Sequence, residues 1–208
     1  MKKILAGIAV LATVGLAPVS TLAEDSMSTD DAVNRAVHVC FACHGEQGQS
    51  TVPIYPKLAG QQRLYTAEQL KLFRSQKRSE SDTQAYMWGI SALLDDKLID
   101  GIAAYFAEQT PTPGKAASGA QLTLGQRIYE QGIPGKKVPA CASCHGANGE
   151  GGAVFPRLGG QHAAYTVTQL EQFKKGMRPH AVVMAGIAKP MSKEEMQAVA
   201  AWTMGLGQ

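Results

Sequence analysis

Apolar residues recur at helical spacing along most of the chain, and strict apolar–polar alternation is scarce. Behind Asp95, the residues Ile99, Ile102, Ala103 and Phe106 fall at i, i+3, i+4 and i+7, one face of a helix. Asp95 and Ser192 stand where N-caps would, and Ser192 with Glu195 has the spacing of a capping box. Tyr65, Leu70 and Phe73 follow Gly60 on one helical face, as Tyr165, Leu170 and Phe173 follow Gly160. Ser28 or Thr29 can cap a short helix running into Cys40. The pattern predicts an all-α chain, with a few helices per unit and long Gly- and Pro-containing connections. Residues 1–23 depart from it. Lys2 and Lys3 precede an apolar stretch from Ile4 to Leu16, and Thr21-Leu22-Ala23 closes it with small residues, as in a secretory signal cleaved after Ala23. The run is short for a membrane span of about 20 residues.

The chain is one unit written twice. Cys40, Cys43 and His44 recur at Cys141, Cys144 and His145, an offset of 101. Pro56, Leu58, Gly60, Gln61, Tyr65, Gln69, Leu70 and Phe73 recur at Pro156, Leu158, Gly160, Gln161, Tyr165, Gln169, Leu170 and Phe173, an offset of 100. Met87, Gly89 and Ile90 recur at Met184, Gly186 and Ile187, an offset of 97. Thr110 to Gly119, with two prolines and two glycines, reads as a linker. The expected organisation is a signal over 1–23, domains over 24–109 and 120–208, and the linker over 110–119. Units this small are marginal on their own cores and usually need a staple or a cofactor.

Charge narrows the function classes. Of 208 residues, 18% are charged, with no basic run long enough to track a phosphate backbone, so a nucleic-acid partner is not expected. Cleavage would remove two lysines and no acid, leaving 18 basic against 17 acidic residues.

All four cysteines lie in the two Cys-x-x-Cys-His motifs. A thioredoxin-like pair needs a reactive thiol in a βαβ setting, and the strands are missing. A zinc site needs four ligands, and His38 or His162 could serve as a fourth, but neither has a counterpart in the other half. The third chemistry is covalent c-type haem attachment. Two Cys three apart reach two vinyl groups on one porphyrin edge, and the following imidazole faces the iron.

For the sixth ligand the repeat acts as a filter. Only Met87 and Met184 match each other, late in their units, whereas Met177, Met191, Met196 and Met204 match residues that do not ligate. His180, four residues before Met184, is the rival, against its reading as a surface histidine. A thioether opposite an imidazole favours Fe(II) and closes both iron faces, which suits electron transfer better than peroxidase chemistry. The carbonyls of Pro56 and Pro156 are candidates to accept the second imidazole N–H; the alternative is a tight turn leading into the next helix. Tyr65, Tyr165, Arg63 and Gln61 could meet haem propionates or the other domain.

Two CxxCH units, the Pro-x-Leu-x-Gly-Gln…Tyr…Gln-Leu…Phe run in both halves, and the late Met-x-Gly-Ile with its following helix resemble the dihaem cytochrome c4 family across nearly the whole mature chain. That resemblance implies two cytochrome c-type helical domains about a pseudo-twofold axis, each holding one covalent haem c. It assigns Cys40, Cys43, His44 and Met87 to one haem, and Cys141, Cys144, His145 and Met184 to the other. It also implies an electron carrier in the periplasm, commonly working from the bc complex toward a terminal haem–copper oxidase; a monomer, soluble or loosely membrane-associated, is expected. An electron-accepting subunit of a periplasmic dehydrogenase, or a dihaem peroxidase, is the alternative. One departure stands out. The second half approaches its Met through Phe173-Lys174-Lys175-Gly176-Met177-Arg178, and the first through Phe73-Arg74-Ser75-Gln76-Lys77-Arg78 and a polar 79–83, which reads as a remodelled loop and suggests unequal potentials.

Overall fold

The computed structural model describes residues 28–79, 83–115 and 119–207. The expected signal segment lies outside them, as do residues 80–82 and 116–118. The described chain is helical. The first half holds α1 (Thr29–His44), α2 (Arg63–Arg74), α3 (Thr83–Ala92) and α4 (Asp96–Glu108). The second holds α5 (Ala120–Gln131), α6 (Ala142–His145), α7 (Ala163–Lys174), α8 (Val182–Ala188) and α9 (Lys193–Gly205). Extended structure among the described residues is limited to two isolated bridges, Ile133 with Val138 and Gly152 with Phe155. No described helix is long and apolar enough to cross a membrane.

The caps form as the spacing predicts. The Ser28 hydroxyl accepts from the Asp31 N–H, the Asp95 carboxylate accepts from the Leu98 N–H, and Ser192 with Glu195 closes a full capping box. The helix behind Ser28 is longer than the pattern suggested: it does not stop at Cys40 but carries the whole motif to His44. It ends at Gly45, in the left-handed region at φ +75°, and Gly146 does the same after α6 at φ +82°.

Each half has its own core. In the first, Val37, Ala67, Leu70, Ile99, Ile102, Ala103 and Phe106 pack together where α1, α2 and α4 meet. In the second, Ile128, Tyr129, Val138, Leu170, Phe173, Ala188, Met191, Met196 and Val199 do so. The first and last helices of each half cross closely. In the first half Gly101 of α4 receives Val33 of α1, where a Cβ would overlap the valine methyl. In the second, the glycine is on the other helix: Gly125 of α5 lies against the carbonyl of Ala198, the residue that matches Gly101.

The halves meet about a pseudo-twofold axis, and their main polar contacts come in pairs. Gln61 pairs with the backbone of Arg157, and Gln161 with that of Lys57. Gln62 donates to the Glu150 carbonyl, and His162 bonds the Ser50 carbonyl. The described part of the linker packs down beside this seam: Pro111 lies on Gly60, and Lys57 Nζ donates to the Thr112 carbonyl.

Candidate functional site

Each CxxCH motif sits on a helix end, where positions three apart share a face. All four thiols are free; Cys40 and Cys141 are half-buried, Cys43 and Cys144 exposed. Cys40 and Cys141 belong to the packing shells of their two cores. Burial pushes each of these two thiols up to about 11. A redox dithiol needs the opposite shift, so the surroundings do not favour thioredoxin-like chemistry.

His44 and His145 are buried, at 8% and 7% exposed. Their Nδ1 atoms lie 2.8 Å from the Pro56 carbonyl and 3.0 Å from the Pro156 carbonyl. A carbonyl only accepts, so Nδ1 carries the proton and Nε2 keeps its lone pair. Burial lowers the basicity of both rings, and the proline hydrogen bonds only partly oppose it. Each ring has an aromatic neighbour edge-on at 6.3 Å, Tyr55 for His44 and Phe155 for His145.

Met87 on α3 packs against the first core with Cys40, Phe41 and Leu58. Met184 on α8 packs against the second with Cys141, Ala142 and Leu158. Met191 and Met196 are sealed inside the second core as packing residues, and His180 is exposed. The donor set in each half is therefore two free thiols, an imidazole with an oriented lone pair, and a thioether in the same apolar cluster. That set fits a covalently attached haem. It does not fit zinc: no group of three or more His, Cys, Asp or Glu side chains is placed to hold a metal ion among the described residues. The two spare histidines point elsewhere, His38 to its own helix at the Asn34 carbonyl and His162 to Ser50.

One pair of functional residues escaped the sequence reading. Arg78 and Arg178 are almost fully buried, at 3% and 2% exposed, in the seam between the halves. The Arg78 guanidinium lies 4.4 Å from the Phe73 ring centroid, donates to Gln69 Oε1 at 2.9 Å, and reaches across to Gln169 Oε1 at 3.0 Å and the Tyr165 hydroxyl at 3.1 Å. Arg178 repeats this over Phe173 at 4.3 Å, with Gln169 at 2.8 Å, Gln69 at 2.6 Å and the Tyr65 hydroxyl at 3.5 Å. The stretch from Phe73 to Arg78 therefore does not diverge at its end. Gln76 and Gly176 share a left-handed backbone, at φ 57° and 71°, and deliver equivalent arginines. The signal was present, since both arginines stand five residues after the matched phenylalanine. Tyr65, Tyr165 and Gln61 meet the other domain.

Comparison with known proteins points the same way. The Cytochrome c family matches twice, over residues 34–110 and 122–206. Cytochrome c4 of Thiocapsa roseopersicina is 42% identical over 179 residues, covering 84% of this chain and 90% of that protein. The thiosulfate dehydrogenase electron acceptor of Thiomonas intermedia is 35% identical over 169 residues, covering 78% of this chain and 76% of that protein. The crystal structure of reduced recombinant cytochrome c4 from Pseudomonas stutzeri superposes with a TM-score of 0.77 at 36% identity, covering 86% of this chain and 98% of that one.

Proposed function

The chain belongs to the cytochrome c4 family of two-domain c-type cytochromes, and from that premise we propose that it carries single electrons between respiratory complexes in the periplasm, from the bc complex side toward a terminal haem–copper oxidase. It is an electron carrier with two covalent haem c groups. The proposed attachment is through Cys40 and Cys43 in a first domain over 24–109, and through Cys141 and Cys144 in a second over 120–208, joined by 110–119. The proposed axial ligands are His44 with Met87, and His145 with Met184. Residues 1–23 direct export and are removed.

When bound, the haems supply two one-electron Fe(II)/Fe(III) couples. The chain supplies the rest. The Pro56 and Pro156 carbonyls fix each imidazole so that its lone pair points one way. The two cores exclude water from one side of each site. Exposed Tyr86 next to Met87, and Val182 and Val183 just before Met184, offer apolar surfaces for transient redox partners. With His44 and Met87 holding one iron and His145 and Met184 the other, no coordination position would be left open to substrate, which favours a carrier over a peroxidase.

The observation that carries this reading is that each half independently joins a free Cys-x-x-Cys pair to a buried, oriented imidazole, and packs the first cysteine and the methionine against one apolar cluster. The test is the visible spectrum of the purified protein, with haem counted per chain by pyridine haemochrome. Two low-spin haems with the weak far-red sulfur-to-iron band are expected. A high-spin fraction, or one haem per chain, would overturn the ligand assignment. A second reading, electron acceptor of a thiosulfate-oxidising dehydrogenase, is favoured by the Thiomonas relative. Rapid haem reduction by thiosulfate only when such a dehydrogenase is present would select it.

A further inference from the structure

The hydrogen bonds on His44 and His145 do not end at the proline carbonyls. The Pro56 carbonyl and the Lys57 N–H belong to one peptide group, as do the Pro156 carbonyl and the Arg157 N–H. The Lys57 N–H donates across the seam to Gln161 Oε1 at 2.9 Å, and the Arg157 N–H donates to Gln61 Oε1 at 2.8 Å. Each side-chain amide is pinned at its other end, Gln161 Nε2 on the Lys57 carbonyl at 2.9 Å and Gln61 Nε2 on the Arg157 carbonyl at 3.1 Å. A backbone N–H can only donate, so the amide oxygens must face these groups. Both glutamines are buried, at 8% and 7% exposed. Their oxygens also accept the next residue's N–H, from Gln62 at 2.8 Å and His162 at 3.0 Å. The start of α2 or α7 in one domain thus aligns the amide that serves the other domain's peptide.

A peptide that donates through its N–H presents a more negative carbonyl, because hydrogen bonds in a chain polarise one another. A stronger acceptor on Nδ1–H makes the imidazole more basic at Nε2. A more electron-donating axial imidazole favours ferric over ferrous iron. We infer that Gln161 tunes the reduction potential of the haem held by His44, and Gln61 that of the haem held by His145, so that each domain's redox poise is set partly by a side chain of the other. The inference rests on the ligation proposed above. The two glutamines are positioning residues that act through a peptide and an imidazole.

The test is a potentiometric titration of the full dihaem protein, with the haems assigned by paramagnetic NMR, for Gln161→Ala, Gln61→Ala and Gln161→Glu. Gln161→Ala removes the acceptor on Lys57 N–H and raises the potential of the His44 haem alone. The electron's equilibrium distribution between the haems then shifts toward that haem by up to about tenfold, ~59 mV for a one-electron couple. Gln61→Ala gives the mirror image. Gln161→Glu keeps an acceptor, now charged, and lowers the potential of the His44 haem. If the alanine variants do not assemble, the glutamate variant decides by whether the fall is confined to the His44 haem, since a seam charge acting through space lowers both. Movement of both haems in one direction is what an opened, wetter seam would produce, and it overturns the inference, as does no movement. Failure of the underlying ligation would show separately, as a high-spin wild-type spectrum.

Discussion

In the first domain the attachment motif is the last turn of an unbroken 16-residue helix; in the second it stands on a four-residue helix behind a separate loop. Val33, at the helix crossing, is seven residues before Cys40, whereas Gly125, at the matching crossing, is sixteen before Cys141. The extra chain closes on itself through the paired backbone of Ile133 and Val138, and the Tyr129 hydroxyl donates to the Gly146 carbonyl at 2.6 Å, tying α5 to the end of the motif. Downstream of the motif the two halves agree closely. Both have the His–Pro bond, the edge-on aromatic ring, the glutamine clasp and the arginine stacked on phenylalanine. The setting of each imidazole is therefore fixed by the loop after the motif and by the partner domain. The helix leading into the motif is free to vary, because its task is to close the core.

The largest effect separating the domains should come from removing a ligand. His44→Ala and His145→Ala are each expected to abolish stable haem incorporation in that domain and to unfold it, because so small a domain lacks sufficient core of its own. Loss of roughly half the far-UV helical signal is expected for His44→Ala. Among the described residues, the second domain's cluster holds nine buried residues against seven, plus the Tyr129 tie, so His145→Ala should lose less. Equal losses would mean that the haem, not the protein core, dominates both domains.

The crossing glycines give the next contrast. A methyl at Gly125 would strike the Ala198 backbone carbonyl, which cannot move without the helix, whereas one at Gly101 meets the side chain of Val33 and no backbone, so a small shift of one residue relieves it. Overpacking of this kind predicts a cost of about 3 kcal/mol for Gly125→Ala and about 1 kcal/mol for Gly101→Ala, read from denaturant midpoints. The reverse order would mean that α5 slides more easily on α9 than α1 does on α4.

What was legible in the sequence was local or periodic. The caps at Asp95 and Ser192, the Ile99 to Phe106 face and the repeat itself all depend on residues near one another in the chain. The repeat also picked out Met87 and Met184, which lie in the packing shells of the two clusters that hold Cys40 and Cys141. The pairings across the seam were illegible for the converse reason, although the sequence offers Gln61, Tyr65 and Tyr165 as candidates to meet the other domain. Arg78 meets Tyr165 and Gln169 across 87 and 91 residues, and Gln61 meets Arg157 across 96, with no local spacing to announce the pairing. The break between α5 and α6 was missed because the repeat was anchored on the motif and not on the helix before it.

The arginines test whether the symmetry of the seam is energetic as well as geometric. Lysine keeps the charge but loses the planar fork and its stacking on phenylalanine. Arg78→Lys and Arg178→Lys should each cost about 2 kcal/mol through lost charge-assisted hydrogen bonds to Gln69 and Gln169, whose oxygens would keep the other arginine as donor. Near-equal drops in thermal midpoint, with loosening of the domains in small-angle scattering, are expected. A much larger effect from one arginine would show that the two halves of the seam carry unequal load.

The smallest expected effect lies at a seam position where one half carries a titratable side chain and the other does not. Gln62 and His162 are matched and both bond a carbonyl of the other domain, but only the histidine can take a proton. Burial, followed by the charge of Lys57, holds His162 below its ordinary value, and the bond to the Ser50 carbonyl only partly opposes this. The unfolded chain therefore binds a proton near pH 6.5 that the folded protein still refuses, so stability falls as pH drops below about 6.5 and recovers as it rises. His180, largely exposed, is depressed too, by its partial shielding from water and then by the charges of Arg178 and Arg78, and contributes with the same sign. His162→Gln copies the first half and removes only its own share. Urea midpoints for the variant and the parent should agree at about pH 7.5 and separate at about pH 5.5, with the variant the more stable. The shift should be small, because the imidazole is only part-buried and partly screened by water. Parallel pH profiles would mean that the Ser50 bond survives protonation at no cost, and that the acid side of the stability curve belongs to His180 and the carboxylates.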